Sequence, residues 1–179
     1  MPGYVIHLAI AKEYINKHKD KIIEENKFFD GVIAPDLIPK LNKNITKSES
    51  HYGKNGFSDI ESHLDLFLAD SNVDMEKDYY KGYFMHLYTD NEFYLNYFKK
   101  EMQEVVNNKD SFYNDYYGLN KYLIEKYSIK KTGNKIIDEY MNFSDSKPRY
   151  LNLDKVIKFI DEISDKDLEE IVNQVKDNK

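Results

Sequence analysis

Residues 79–106, with the sequence YYKGYFMHLYTDNEFYLNYFKKEMQEVV, decide the fold class. One stripe at helical spacing carries Tyr79, Tyr83, His86, Asp90, Phe93 and Tyr97. This period, uninterrupted by proline, predicts one long helix. His86 and Asp90 are four residues apart, so their side chains leave the same helix face about one turn apart and could grip one cation. Gly82 lies one turn before His86, where the missing Cβ would let a neighbouring backbone or a ligand come close.

Helical periodicity also dominates the rest of the chain, where glycine and proline are scarce. Further helices are predicted at about 5–19, 57–69, 115–127, 134–143, 153–163 and 166–176. Ser164 followed by Asp167 predicts the N-cap of the last one. We therefore expect an all-α, single-domain multi-helix bundle over residues 1–179, with metal ligands on its long central helix. The metal-binding half would span about 1–106 and the C-terminal helices about 107–179.

Two stretches interrupt the pattern. Residues 28–39 contain Pro35 and Pro39 and predict a short helix that ends in a turn at Ala34-Pro35-Asp36, because the residue before a proline is pushed out of the α region. Residues 40–56 are polar and turn-forming and predict a loop. Loops of that length are often functional, and His51 lies in this one.

Composition narrows the chemistry. The chain has no cysteine, which excludes disulfides, thiolate zinc sites and cysteine nucleophiles and leaves imidazole and carboxylate as metal ligands. A net charge of −6 with interleaved signs disfavours a large nucleic-acid duplex as partner. The apolar runs are too short for a transmembrane segment. The N-terminus lacks the pattern of a secretion signal, so a cytoplasmic location is expected, although a chain whose signal had been removed would look the same. The oligomeric state stays open.

Five residues stand in apolar or turn-rich surroundings as candidate metal ligands: His7, Asp36, His51, His86 and Asp90. They belong to the short pieces His7-Leu8-Ala9-Ile10-Ala11, Gly31-Val32-Ile33-Ala34-Pro35-Asp36, Ser50-His51-Tyr52 and His86-Leu87-Tyr88-Thr89-Asp90. Over about the first hundred residues, these pieces and their order resemble the zinc-dependent phospholipase C family. Relatives of that family include single-strand-specific zinc nucleases with the same all-helical fold.

The resemblance implies a ligand set and an activity. Asp36, His51, His86 and Asp90 would hold one Zn²⁺, and Asp90 would bridge to a second ion held by His7. The amine of Pro2, left after removal of Met1, would be a further ligand of that second ion. The reaction would be hydrolysis of a small phosphodiester or phosphomonoester by a metal-activated water, with Asp90 orienting or deprotonating that water. Phospholipid is one option among the substrates, and Mn²⁺ or Fe²⁺ would suit the same donors.

The chain also departs from that family. No histidine follows His86, so a third metal site is absent or rebuilt from carboxylates such as Glu92, Glu101 or Asp115. A secretion signal, normal for the exported members, is also missing. A divergent intracellular branch with fewer metals fits these departures.

Each candidate has a simpler interpretation. His86 and Asp90 would also suit a hydrogen-bonded pair on a helix surface, His51 a loop histidine, Asp36 a turn residue and His7 a core histidine. Asp115 is a candidate helix N-cap. The side chains of Tyr52 and Tyr83 would pack, or their hydroxyls would donate to a bound phosphate. His18, roughly 16 Å from His7 along a helix axis, and His63 are assigned to the surface or the core.

Two other functions are alternatives to the phosphoester hydrolysis that the resemblance implies. One is a non-catalytic module whose metal ion staples a helical bundle while another surface binds a partner. The other is an HD-type phosphohydrolase, which is disfavoured because the sequence contains no His-Asp dipeptide.

Overall fold

The computed structural model describes residues 3–54, 61–108 and 112–178, and every regular element within them is helical. The elements are α1 (Tyr4–Lys17), α2 (Glu25–Leu41), α3 (Lys47–Ser50), α4 (Leu64–Ala69), α5 (Asp78–Asn91), a π-helical segment (Glu92–Tyr97), α6 (Lys99–Asn108), α7 (Tyr113–Lys126), α8 (Lys135–Tyr140), α9 (Leu153–Ser164) and α10 (Leu168–Asp177). The all-α prediction is confirmed. Within the described part of the chain, no helix is both long enough and apolar enough to span a bilayer.

Helix α1 is the most enclosed element. Its residues from Tyr4 to Ala11 are all buried, and it packs against α2, α5, α7, α8 and α9. A helix that is apolar around most of its circumference belongs in a core rather than on a surface, and this one carries His7 into the interior. The C-terminal helix α9 therefore contributes to the same core as the N-terminal helices.

The residues predicted to form one long helix over 79–106 are largely helical, but the winding changes along their length. Helix α5 passes into the π-helical segment two residues after Asp90, and the chain resumes α-helical geometry at Lys99. The Phe98 N–H donates to the Phe93 carbonyl at 2.8 Å, which is the wider π-type bond. The periodic stripe predicted a continuous helix, but not the change from α-helical to π-helical geometry within it.

Helices α2 and α5 cross at two glycines and form the most extensive helix contact in the fold. A Cβ on Gly82 would lie 2.1 Å from the Phe28 carbonyl oxygen, and one on Gly31 would lie 1.9 Å from that of Tyr79. The expectation that Gly82 admits a close neighbour is confirmed, and the neighbour is backbone. This crossing places Asp36 of α2 near His86 and Asp90 of α5.

The predicted turn at Ala34-Pro35-Asp36 is wrong, because α2 continues through both prolines to Leu41. Pro39 has no N–H to donate to the Pro35 carbonyl four residues earlier. The Ser50 hydroxyl donates to that carbonyl instead, at 2.7 Å. A side chain from the next element thus replaces the bond that the proline removes.

Other boundaries also differ from the predictions. Of the helix predicted over 57–69, residues 57–60 lie outside the described residues, and the described helix begins at Leu64. Ser164 is the last residue of α9, whereas the Asp167 carboxylate caps α10 by accepting from the Glu169 N–H. The predicted Ser164 cap is therefore wrong.

Candidate metal centre

All five candidate ligands meet in one buried cluster. His7 comes from α1, Asp36 from α2, His51 from the residue that ends α3, and His86 and Asp90 from α5. Two triads, His7–His86–Asp90 and Asp36–His51–His86, each bring three ligand atoms within 4.8 Å of one another. Residues up to 83 positions apart in sequence thus face one small volume, which we call the His/Asp cluster.

Asp90 lies at the centre of the His/Asp cluster. Its Oδ1 is 3.3 Å from His7 Nε2, and its Oδ2 is 3.6 Å from the Nε2 atoms of both His51 and His86. Asp36 Oδ1 lies 3.4 Å from His51 Nε2 on the other side. The two oxygens of Asp90 therefore face different imidazoles.

Two of the histidines are oriented by backbone carbonyls. His86 Nδ1 is 2.7 Å from the Val32 carbonyl, and His51 Nδ1 is 2.8 Å from the Lys47 carbonyl. A carbonyl only accepts, so each Nδ1 carries the proton and each Nε2 of a neutral ring has a free lone pair. The two Nε2 atoms are only 3.3 Å apart. Two lone pairs at that separation require a proton or another cation between them.

Several polar atoms of the cluster are buried without a hydrogen-bond partner: both ring nitrogens of His7, both carboxylate oxygens of Asp36 and Oδ1 of Asp90. Buried polar groups are normally paired, so five such atoms in one place need a partner. Imidazole nitrogen and carboxylate oxygen are the donors that zinc, manganese and iron accept. The residues present therefore fit a divalent transition metal.

The charges of the cluster suit a cation. Burial raises the pKa of Asp36, but the adjacent His51, His86 and Lys47 outweigh it and hold that pKa below its usual range. Asp90 behaves alike: burial opposes ionisation, and His86 and His7 keep its pKa well below the ordinary value. Both carboxylates are consequently ionised at neutral pH.

The histidines differ from one another. Burial and the neighbouring His86 lower the pKa of His7 to about 4, so its imidazole is neutral at pH 7. Burial also disfavours the charged form of His86, but Asp90 and Asp36 outweigh that effect and raise its pKa. Of these two imidazoles, His86 is therefore the one that takes up a proton first, and His7 is the one that stays neutral.

The segment that holds His51 is not the loop predicted over residues 40–56. Helix α2 extends to Leu41, and Thr46 opens α3 with a reciprocal capping box: its hydroxyl accepts from the Glu49 N–H, and the Glu49 carboxylate accepts from the Thr46 N–H. The pattern Thr-x-x-Glu at 46–49 is the sequence signal that would have predicted this helix. Val32 and Ser50 lie within two of the quoted motifs, which gave them no role, and Lys47 lies outside all of them; these residues support the cluster through a side chain or a carbonyl.

The predicted substrate-binding tyrosines have structural partners. The Tyr83 hydroxyl donates to the Ser50 carbonyl, and the Tyr52 hydroxyl donates to the Asp70 carboxylate at 2.9 Å. These bonds fix the chain on both sides of His51. The geometry thus assigns both tyrosines to positioning of the His51 segment.

Asp115 lies apart from the clustered ligands. Its carboxylate accepts the N–H groups of Arg149, Tyr150 and Leu151 at 2.9, 2.6 and 2.7 Å. It is also the third residue of α7, whose N-cap is Phe112, so the predicted N-cap role is wrong. With three donors already bound, its carboxylate is committed to holding the chain before α9, which leaves the metal role without support.

The remaining candidates also lie elsewhere. Glu92 pairs with Lys166 and Glu101 with Lys155, so neither is among the clustered ligands. His18 Nε2 contacts the Ser164 carbonyl at 3.1 Å. His63 precedes α4, outside the cluster. Pro2 lies outside the described residues.

Comparison with known proteins adds no relative. The chain matches no family model, no curated protein and no solved structure. The resemblance to the zinc-dependent phospholipase C family therefore stays a prediction from the order of four short motifs, and the candidate function depends on the geometry of the His/Asp cluster.

Proposed function

We propose that this chain is a metal-dependent hydrolase of phosphoester bonds. One observation supports this proposal above all: two imidazole nitrogens lie 3.3 Å apart among two ionised carboxylates, and all four side chains are buried. Such an arrangement is costly without a cation. The order of the motifs supplies the reaction class.

The ligands divide into two groups around Asp90. Asp36, His51, His86 and Oδ2 of Asp90 would hold one ion, and His7 with Oδ1 of Asp90 would hold a second. Zn²⁺ is the ion we favour, although Mn²⁺ and Fe²⁺ accept the same donors. Four protein ligands would fill a tetrahedral shell, so catalysis requires the second ion or a higher coordination number.

Divalent metal in such a site supplies a coordinated water of lowered pKa and offsets charge on the phosphoryl oxygens. The protein's own groups do the rest. The low pKa of Asp90 makes it a weak base, but its ionised carboxylate can still accept a charge-assisted hydrogen bond, which favours orientation of the attacking water over its deprotonation. His7 stays neutral and keeps its lone pair available at physiological pH.

The substrate class is a small phosphodiester or phosphomonoester, with phospholipid as one option. The motif resemblance supports a phosphoester. The acidic surface, with its interleaved charges, supports a small substrate rather than a nucleic-acid duplex.

A hydrolysis assay tests this function directly. Metal-stripped protein is incubated with Zn²⁺ or Mn²⁺ and with nitrophenyl phosphate, a monoester, or nitrophenyl alkyl phosphate, a diester, with and without chelator. We expect metal-dependent hydrolysis that His86→Asn abolishes, because the asparagine amide can still donate to the Val32 carbonyl but lacks Nε2. His63→Asn, outside the cluster, should retain full activity. Absence of hydrolysis by the parent protein with every metal and ester would contradict the proposal.

A metal staple is the second candidate, and burial favours it. The five ligands are only 1–8% exposed and come from four helical elements, so a bound ion would cross-link most of the core. The same samples distinguish the two functions. A large fall in melting temperature on chelation, together with no hydrolysis by the parent, would indicate the staple.

A further inference from the structure

Lys47 connects the buried cluster to the solvent. Its ammonium lies 3.3 Å from Asp36 Oδ1, and its side chain is 41% exposed whereas that of Asp36 is 2% exposed. Lys47 is not one of the candidate metal ligands. Because the Lys47 ammonium reaches from the surface to the buried Asp36, it can also contact a molecule that approaches Asp36 from the solvent.

The backbone of Lys47 is firmly placed beside His51. Lys47 is the first residue of α3, directly after the N-cap Thr46. Its carbonyl accepts from His51 Nδ1 at 2.8 Å. The lysine and a metal-ligand imidazole therefore belong to one helical turn, and only the flexible stem of Lys47 separates its ammonium from the cluster.

A divalent ion bound by Asp36 would weaken the ion pair between Asp36 and Lys47. Neither oxygen of Asp36 has a hydrogen-bond partner, and Lys47 is the lysine cation that faces this carboxylate beside His51 and His86. A divalent ion on Asp36 takes over the role of counter-charge and repels the ammonium. The Lys47 ammonium, less tightly paired with Asp36, would then lie next to the ion on its solvent-facing side.

We propose that Lys47 is a phosphate-binding residue that exchanges Asp36 for a phosphoryl oxygen of the substrate when metal occupies the cluster. This inference rests on the proposed function. A lysine ammonium is a compact point charge that binds phosphate oxygens through charge-assisted hydrogen bonds. The metal and Lys47 would then hold different oxygens of one phosphoryl group, which favours anionic phosphoesters over neutral esters.

Zinc and inorganic phosphate binding test the two roles of Lys47 separately. Parent protein, Lys47→Met, Lys47→Arg and Lys43→Met are each titrated with zinc in competition with a chelator, and the zinc-loaded forms are then titrated with inorganic phosphate by calorimetry. Lys43 is the control because it is an exposed lysine of the same segment.

We expect Lys47→Met to bind zinc at least as tightly as the parent, since a competitor for Asp36 is gone. Its phosphate affinity should fall roughly tenfold or more, the usual effect of losing a hydrogen bond to a charged group. Lys47→Arg should restore most of the phosphate affinity, and Lys43→Met should change neither constant.

Four results would overturn the inference. Unchanged phosphate affinity in zinc-loaded Lys47→Met, or no phosphate binding by the zinc-loaded parent, would refute it and leave the metal site intact. Loss of zinc binding in Lys47→Met would show that Lys47 supports the site itself. If the parent binds no zinc, the proposed function fails first and the inference fails with it.

Discussion

His7 shows at the scale of one residue how the cluster prepares a ligand. The ring stacks on His86 at a centroid distance of 3.9 Å and stays neutral because burial and that neighbour outweigh the attraction of Asp90 and Asp36. A neutral imidazole offers a lone pair, but this one has no hydrogen-bond partner in the metal-free protein. Burial of His7 without a hydrogen-bond partner therefore destabilises the fold, and coordination of an ion would remove that destabilisation.

The lowered pKa of His7 predicts that the free energy of unfolding of the metal-free protein depends on pH. The unfolded chain protonates His7 near pH 6.5, whereas the folded chain does so only near pH 4, so the unfolded state binds more protons between those values. The free energy of unfolding should fall by about 2 kcal/mol from this group between roughly pH 7.5 and pH 5. His86, with its raised pKa, works in the opposite direction.

The measurement is urea unfolding in chelator at both pH values for the parent and for His7→Phe. The parent should lose about 2 kcal/mol more than the variant, because the variant lacks the His7 titration whereas His86 remains in both proteins. Equal losses would show that His7 is not held neutral.

At the residue scale, the sequence identified the candidate metal ligands but not the groups that hold them in position. The spacing of His86 and Asp90 and the context of His51 pointed to these side chains without a structure. The Val32 carbonyl, the Ser50 hydroxyl and the Lys47 ammonium act through contacts that arise only when α2 meets α3 and α5. No local pattern encodes such contacts.

At the scale of elements, the crossing of α2 and α5 fixes the cluster. Gly31 and Gly82 let the two backbones touch, and this approach places Val32 over His86 and Asp36 near His51. Any side chain at the crossing would force the helices apart.

Gly82→Ala tests this crossing. A Cβ 2.1 Å from the Phe28 carbonyl oxygen must displace backbone, so we expect the free energy of unfolding to fall by about 3 kcal/mol or more despite the better helix propensity of alanine. Zinc affinity should fall as well. Chemical denaturation checks the first effect, with Gln103→Ala at an exposed position of α6 as control, expected to change stability by under about 0.5 kcal/mol. A Gly82→Ala protein as stable as the parent would contradict the close approach.

Elements also show where sequence rules fail. The preference of residues before proline for extended backbone predicted a turn at Asp36, but that preference is local and weak compared with tertiary contacts. Ser50 satisfies the Pro35 carbonyl that Pro39 leaves open, and the helix continues. The π-helical segment after Asp90 was equally invisible, since it retains the apolar stripe that any helix would show.

At the scale of the whole molecule, periodicity was enough for the fold class but not for the arrangement. The spacing of apolar residues predicted helices throughout, and the described residues contain helices as their only regular elements. That α1 is the enclosed helix, with α9 packed against it, depends on which faces meet across the chain. A single sequence does not specify such pairings.

The whole molecule also responds to the ion, because the ligands come from helices that pack on one another. Metal that binds only the folded state stabilises it by about 2.7 kcal/mol when its free concentration is 100 times Kd. Both the hydrolase and the staple predict this stabilisation, so the cation is the claim on which both depend.

Elemental analysis after equilibrium dialysis against zinc tests that claim most directly. The parent protein should retain one or two zinc ions per chain, Asp36→Asn and His86→Asn should retain fewer, and His63→Asn should match the parent. A parent protein that retains no zinc, manganese or iron after dialysis against each metal, while remaining folded, would contradict the account.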